Sequence, residues 1–345
     1  MSFLQKGLRG TLVISFCLSM GCASHQVKSL DEYKPITLEK SKFAPSTEVL
    51  QKGKSKIVVF PLSENGNQVA EAAELGLSLA GALEAVLTES NSAEIVDRKI
   101  ATKLQDEVKL AEMNQTGAYD GPIIADYAVS GSISNASFTH KFFEATRTVD
   151  KKGRVTVTAP SFRYTANVEG TIKFYEIPSM KVVKVFKISD NKARSEETRS
   201  SQNYAERDDD LVRGAGRDAI GSIKSEIKNL VAPRAYVLDK KVKDSSAIFK
   251  VNLGADKGAQ PGDKCEIFTV VESVNQISGA TETETRKICD GVITNQITPG
   301  NSWVMASLDE SKEVKLGDQV KVVYSKGAFE YMKDAGSLMN TLISK

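Results

Sequence analysis

The sequence has little of the chemistry on which many enzymes depend. It contains only two histidines, His25 and His140. Histidine is the residue most often used as a general base near neutral pH, so histidine-based catalysis has almost no candidates here. We therefore expect a protein that is not an enzyme, with no catalytic residue, no cofactor and no metal site.

An excess of charge of one sign is also missing. There are 46 lysines and arginines against 44 aspartates and glutamates. Without residues 1–21, which hold Lys6 and Arg9 and no acidic residue, the two groups are equal in number. Nucleic-acid binding depends on basic surfaces, so this balance argues against nucleic acid as a partner. The 345 residues, 41% of them hydrophobic, are enough for about two globular domains.

The N-terminal apolar run is too short to cross a bilayer as a helix. Residues 11–20 supply about half of the roughly 20 residues that a spanning helix needs. The run follows Lys6 and Arg9 and precedes Gly21 and Cys22. This order is typical of a secretory signal peptide, which we assign to residues 1–21.

The end of this signal peptide resembles a bacterial lipobox. Ser19-Met20-Gly21-Cys22 places a small residue directly before a cysteine. The resemblance implies cleavage before Cys22 and lipidation of its thiol, which gives a stable membrane anchor. Ala23 stands where an aspartate would resemble an inner-membrane retention signal. The implied location is therefore the periplasmic face of the outer membrane.

Residues 22–54 are polar, rich in lysine and without periodicity. They include Pro35 and Pro45. This composition predicts a flexible tether between the lipid and the folded part of the chain.

Residues 55–233 alternate between short β-branched runs and segments with helical spacing. The order of the predicted elements is β-α-β-α-β-β-β-α, with antiparallel strands in the second half. This order predicts an α+β domain with a mixed sheet and packed helices. One long amphipathic helix is indicated by apolar residues at helical spacing: Val69, Ala72, Leu75, Leu79, Leu83, Val86 and Leu87. A last helix is expected from the acidic start at Asp208-Asp209-Asp210 to Val231.

Residues 234–326 contain short β-rich runs separated by glycine and proline turns, which predict a small all-β barrel or sandwich. Pro261-Gly262-Asp263 and Leu316-Gly317-Asp318 form a weak internal repeat. In each, the glycine permits a turn with positive φ and the aspartate caps it. Residues 327–345 predict an amphipathic C-terminal helix.

Cys265 and Cys289 are the two cysteines that remain when Cys17 leaves with the signal peptide and Cys22 carries the lipid. They flank a turn-like segment centred on residue 277. An even pair in an oxidising compartment predicts a cross-strand disulfide. Two buried free thiols are the alternative.

Two other patterns have ordinary structural explanations. Gly214-Ala215-Gly216 imitates a nucleotide-binding glycine motif but lies within a predicted helix, which favours close helix packing. Five aromatic residues are expected in a core or an interface rather than around a ligand: Phe138, Phe142, Phe143, Phe162 and Tyr164.

Four stretches together carry a family resemblance: Lys56-Ile57-Val58-Val59-Phe60-Pro61, Leu75-Gly76-Leu77-Ser78-Leu79-Ala80, Glu94-Ile95-Val96-Asp97-Arg98 and Ala125-Asp126-Tyr127-Ala128-Val129-Ser130-Gly131-Ser132-Ile133. They resemble the CsgG-type periplasmic domain, a family that includes the curli secretion channel, a peptidoglycan-synthase activator lipoprotein and the middle domain of the flagellar ring protein FlgT. The likeness covers about residues 55–233. Residues 234–326 resemble the C-terminal β-domain of FlgT.

The channel members of this family insert two hairpins into the outer membrane. The corresponding places here are about 137–163 and 188–207. Lipid-facing strands need some 9 to 11 residues with alternate apolar side chains. The second stretch has almost none and the first is interrupted by charges. We therefore expect periplasmic loops rather than membrane hairpins.

The resemblance and the residues together predict a lipid-anchored, non-enzymatic scaffold or assembly factor. Its expected partners are proteins of the cell envelope and further copies of itself, with a ring in the flagellar motor or elsewhere in the envelope as one arrangement. A curli-type secretion channel and an activator of a peptidoglycan synthase are the alternatives.

Overall fold

The computed structural model describes residues 25–89, 91, 93–114 and 122–327. The predicted signal peptide, the lipidation residue Cys22 and nearly all of the predicted C-terminal helix lie outside these residues. Within the described part of the chain, no helix combines the length and the apolar character needed to cross a membrane.

Fourteen strands and six α-helices make up the described chain. In chain order they are β1 (Lys34–Ile36), α1 (Thr47–Gln51), β2 (Ser55–Val59), α2 (Gln68–Ala72), α3 (Leu75–Glu89), β3 (Ala93–Ile95), α4 (Thr102–Asn114), β4 (Tyr127–Phe143), β5 (Thr146–Val149), β6 (Val155–Thr158), β7 (Ser161–Glu176), β8 (Lys181–Glu197), α5 (Asp209–Gly221), α6 (Lys224–Val231), β9 (Arg234–Lys243), β10 (Ser246–Val251), β11 (Lys264–Val274), β12 (Thr281–Ile297), β13 (Ser302–Ser307) and β14 (Gln319–Val322). The chain is thus a mixed α/β protein dominated by sheets.

The first sheet has five strands in the order β3-β2-β4-β7-β8. β2 is parallel to both β3 and β4, whereas β4, β7 and β8 are antiparallel. The predicted mixed sheet with packed helices is confirmed. β8 ends the sheet on one side and the three-residue β3 ends it on the other.

Helices cover both faces of this sheet. On one face, α3 buries four leucines, and α5 and α6 pack beside it. On the other face, Leu104 and Val108 of α4 pack against Val58 and Phe60. The alternate residues of a strand point to opposite faces, so Val58 and Val59 serve different cores.

Two predicted long helices are each divided in the structure. The helix expected from Val69 to Leu87 breaks between α2 and α3 at Glu74, where φ is +48°. The helix expected from Asp208 to Val231 breaks at Ser222 and Ile223 into α5 and α6. Apolar spacing continues across both breaks, so periodicity alone could not reveal them.

The second sheet is antiparallel, with the order β1-β9-β10-β13-β12-β11-β14, and β14 also pairs with β9. Its core contains Phe249, Ile267, Ile293 and Val304, each fully buried. The prediction of a β-rich second half is confirmed.

The predicted flexible tether is wrong for much of residues 22–54. Val27 is buried against Ile248 and Trp303, and β1 pairs with β9. Further along, Ser41 donates its backbone N–H to Leu316 at 2.9 Å. Backbone pairing and apolar contacts without regular spacing hold the segment, and neither leaves a periodic pattern in the sequence.

Candidate functional site

The strands β4, β7 and β8 form a long three-stranded ribbon at one end of the first sheet. Pairing continues to Phe143 opposite Ser161 and to Ser161 opposite Glu197. Between β4 and β7, the strands β5 and β6 form a separate hairpin. Residues 137–163 are therefore the ribbon end and a hairpin. Residues 188–207 do not form a second hairpin, since they comprise the end of β8 and a link to α5.

Aromatic side chains fill one face of this ribbon. Phe162 and Tyr164 are each 2% exposed, and Phe142 lies 5.1 Å from Phe162 between ring centroids. Tyr204 stacks on His140 at 4.1 Å, and the Tyr164 hydroxyl accepts the Ala205 backbone N–H. These contacts bind the link between β8 and α5 to the ribbon. Phe138, Phe142, Phe162 and Tyr164 are thus part of a core, one of the two predicted alternatives, whereas Phe143 is 42% exposed.

The outer edge of β8 is the most extensive open strand edge of the first sheet. β8 has 17 residues and pairs with β7 alone among the described strands. Near its start, Val182, Val183 and Val185 are 47%, 42% and 48% exposed. We call these three residues the valine edge. Open strand edges with apolar side chains favour pairing with another chain.

A β-bulge and two ion pairs shape this edge. Tyr175 lies opposite Val182 and Phe174 opposite Lys184, so Val183 is the additional residue. Farther along β8, Lys192 binds Asp218 at 2.9 Å and Arg194 binds Asp208 at 3.0 Å. These pairs join the distal half of β8 to α5, whereas none of the three residues of the valine edge is buried.

Lysines flank the valine edge. Lys181, Lys184 and Lys187 are exposed and lie before, between and after the valines along β8. Lysine on an edge strand limits indiscriminate strand pairing because each new contact must accommodate its charge. A partner strand must therefore offer apolar side chains together with acidic or polar groups.

The glycine and aspartate patterns are structural. A Cβ on Gly216 would lie 2.9 Å from side-chain carbons of Leu75 and Leu79, so this glycine allows α5 to approach α3. Asp208 caps α5 by accepting the Leu211 N–H at 3.0 Å. Close helix packing, as predicted, accounts for Gly216, whereas a Cβ on Gly214 would lie 2.8 Å from the Lys192 side chain of β8.

Cys265 and Cys289 are both buried free thiols in the structure. Cys265 lies opposite Gly291, and Cys289 lies opposite Ile267. The cysteines are therefore diagonal neighbours, for which Cα atoms are roughly 7 to 8 Å apart. Disulfides usually join Cα atoms within about 4.4 to 6.8 Å. The predicted disulfide is absent from this structure, which has the alternative of two buried thiols.

Burial also makes these thiols unreactive. It raises the pKa of Cys289 to about 11, and it raises the pKa of the more deeply buried Cys265 as well. Only the thiolate is a good nucleophile or metal ligand, so neither residue is a candidate nucleophile. Across the residues described, no group of three or more histidine, cysteine, aspartate or glutamate side chains is placed to hold a metal ion.

Comparisons with known proteins give matches among solved structures alone. No protein-family model matches the chain, and no curated protein does. Among solved structures, a PelC dodecamer from Paraburkholderia phytofirmans is 12% identical, with 51% of this chain and 91% of that chain covered and a TM-score of 0.21. The hypothetical protein CT253 from Chlamydia trachomatis is 14% identical, with 51% and 98% covered and a TM-score of 0.26. The lipoprotein GNA1162 from Neisseria meningitidis is 10% identical, with 44% and 88% covered and a TM-score of 0.23. Similarities this low assign neither fold nor function to this chain.

Proposed function

We propose that the protein is a lipid-anchored scaffold of the outer membrane that self-associates in the periplasm through the valine edge of β8. The observation that carries this proposal is the strand edge itself, which is long, open and apolar near its start. An edge of this kind binds a strand of another chain through backbone hydrogen bonds, and its side chains select the partner.

The geometry of the sheet also supports assembly from identical subunits. The two edges of the first sheet differ, since β8 has 17 residues and β3 has three. Contact between a β8 edge and a different surface of the next copy is heterologous, and such contacts close into rings when the rotation allows it. The ring that we propose, in the flagellar motor or another envelope assembly, would be built from such contacts.

For the second sheet we infer the barrel rather than the sandwich. β14 pairs with β11 on one side and with β9 on the other, so the strands from β9 to β14 form a closed cycle of pairings. This module presents a second surface to envelope proteins, while Cys22 supplies the lipid anchor.

Light scattering and negative-stain imaging of the detergent-extracted protein test the proposal. Val185→Glu places a carboxylate on the valine edge, and Val157→Glu makes the same change in β6, where the valine is 68% exposed. We expect an oligomer for the natural chain and for Val157→Glu, but monomers for Val185→Glu. A monomeric natural chain would contradict the proposal and favour the synthase activator. An oligomeric ring that conducts ions would favour the channel.

The anchor has its own test. Cys22→Ser removes the thiol that the lipid would occupy, so the variant should leave the membrane fraction for the soluble periplasmic fraction. Unchanged sedimentation with membranes would show that the protein is held there by something other than this lipid.

A further inference from the structure

A cavity of about 770 Å³ opens in the second sheet beside the start of β14. β14 pairs with β9 through residues 234–236 and with β11 through residues 265–268. Past this point β9 and β11 continue without β14 between them. Residues 36–43 and 312–315 form the remaining walls of the cavity.

Lys240 of β9 lines this cavity although its side chain belongs to the interior of the protein. The residue is 6% exposed, and its ammonium lies 5.2 Å from the centroid of the Phe249 ring. The ammonium donates to the Ser311 carbonyl at 3.3 Å. An ammonium has three donors, and a charge removed from water is costly unless it is paired.

The other cations around the cavity already have carboxylate partners. The pairs are Lys42 with Glu272 at 2.6 Å, Arg286 with Glu313 at 2.7 Å, Lys312 with Asp309 at 2.7 Å and Lys315 with Glu39 at 3.3 Å. Lys240 forms no such ion pair within the part of the chain that the structure describes. The cavity thus has one cation that lacks a countercharge, and that cation is the most deeply buried.

The walls beside Lys240 are partly apolar. Leu38, Val271 and Val314 contribute side chains, and Val314 is 2% exposed. Thr269 contributes a hydroxyl group. A volume of this size is in the range of small-molecule sites, which combine apolar walls with a few placed polar groups.

We propose that this cavity binds a small organic carboxylate with an apolar body, whose carboxylate pairs with the Lys240 ammonium. The carboxylate would supply the missing countercharge in a charge-assisted hydrogen bond, and the apolar body would cover Leu38 and Val314. Since residues 36–43 form one wall, the segment that follows the anchor is part of the site. The proposal does not depend on self-association through β8.

Two effects support a specific site at Lys240 rather than a general attraction to basic surface. Burial lowers the pKa of the Lys240 ammonium, as expected for a charge removed from water without a compensating anion. The rim cations are mostly exposed and neutralised by their partners, so they add little selective affinity.

Calorimetric titration of the full-length protein with 4-phenylbutyrate tests the site. The neutral analogue 4-phenylbutyramide has a similar shape without the charge. We expect saturable binding of the acid at one site per chain and at least tenfold weaker binding of the amide. Equal binding of the two compounds, or no saturable binding of the acid at millimolar concentration, would overturn the proposal.

Two variants test whether the Lys240 ammonium is the group that binds the carboxylate. Lys240→Met keeps a long side chain without the ammonium and should weaken binding of the acid at least tenfold, a loss of about 1.4 kcal/mol. Lys312→Met removes a rim cation of the same cavity and should change affinity less than twofold. Equal losses in both variants would contradict the assignment to Lys240. If Lys240→Met does not fold, the comparison of acid and amide on the natural chain still decides the question.

Discussion

Asp263 and Asp318 occupy equivalent places in two turns of the second sheet. The Asp263 carboxylate accepts the backbone N–H of Gln260 at 2.9 Å, and the Asp318 carboxylate accepts that of Lys315 at 2.7 Å. In each turn the aspartate thus caps the residue three positions before it. The preceding glycines, Gly262 and Gly317, have φ angles of +92° and +86°.

The backbone around the two turns repeats as well. Gly262 donates to the Ile293 carbonyl and Ile293 donates back to that of Asp263, both at 2.8 Å. Gly317 and Asp318 exchange the same two bonds with Val237, at 2.8 and 2.9 Å. The repeat predicted from the sequence is therefore a repeated structural device that fixes the start of a strand to a neighbouring strand.

The two glycines should respond differently to alanine. Gly262→Ala should lose about 1 kcal/mol of unfolding free energy, mainly because a residue with a Cβ is unfavourable at positive φ. Gly317→Ala adds a steric clash, because its Cβ would lie 2.6 Å from the Ala44 Cβ. We expect Gly317→Ala to lose about 2 to 3 kcal/mol of unfolding free energy. Urea denaturation measures both values, and equal losses would show that residues 44 and 45 do not pack on this turn.

Burial of Asp318 gives a pH dependence of known sign. Burial raises its pKa above the ordinary 3.8, so the folded state holds a proton that the unfolded state has lost. The stability contributed by this group is therefore lost as the pH rises from about 4 through the raised pKa. Asp318→Asn keeps an oxygen for the Lys315 N–H without the titration. The thermal midpoint of Asp318→Asn minus that of the natural chain should therefore increase as the pH rises through this range.

Asp309→Asn is the matched control for this prediction. Asp309 is exposed, and its hydrogen bond and ion pair with Lys312 lower its pKa. The stability that this carboxylate contributes is present above pH 3.8 and is lost as the pH falls. Its pH dependence therefore has the opposite sign to that of Asp318. A difference between Asp318→Asn and the natural chain that does not change with pH would contradict burial of the carboxylate.

Side-chain pattern predicted those parts of the fold that are held by side chains. The leucines at positions 75, 79, 83 and 87 indicated a helix against a sheet, and all four are buried in α3. The two Gly-Asp turns could be predicted from the sequence because their backbone conformation requires particular residue types. The α+β order of the first half followed from the same signals.

Contacts made by the backbone could not be predicted from the sequence. β1 is exposed at all three positions and is joined to β9 by backbone pairing, so its residues resemble a linker. In the sequence, Lys240 is one polar residue among several in β9. It is buried in the structure although β14 does not extend alongside it, because the walls of the cavity surround it. Neither result is accessible from periodicity, since both depend on which strands meet.

The cysteine pair shows how the register of a hairpin decides a prediction. The hairpin between β11 and β12 closes at Val274 opposite Thr281, and a bulge then inserts Ile288. Without the bulge Cys265 would lie opposite Asp290, and with it the partner is Gly291. Neither register places Cys265 opposite Cys289, so the pairing expected from a turn centred on residue 277 already fails at the turn, and the bulge then shifts the partner of Cys265 by one more residue.

We therefore expect Cys265 and Cys289 to be recovered as thiols from protein prepared without reductant. Denaturation in iodoacetamide followed by peptide mapping should give both residues alkylated. In the folded protein, alkylation should be slow at neutral pH, because burial and the raised pKa of Cys289 leave little accessible thiolate. Reductant should leave the thermal midpoint unchanged. A disulfide-linked peptide pair, together with a midpoint that falls on reduction, would show that the hairpin adopts a different register in the oxidised protein.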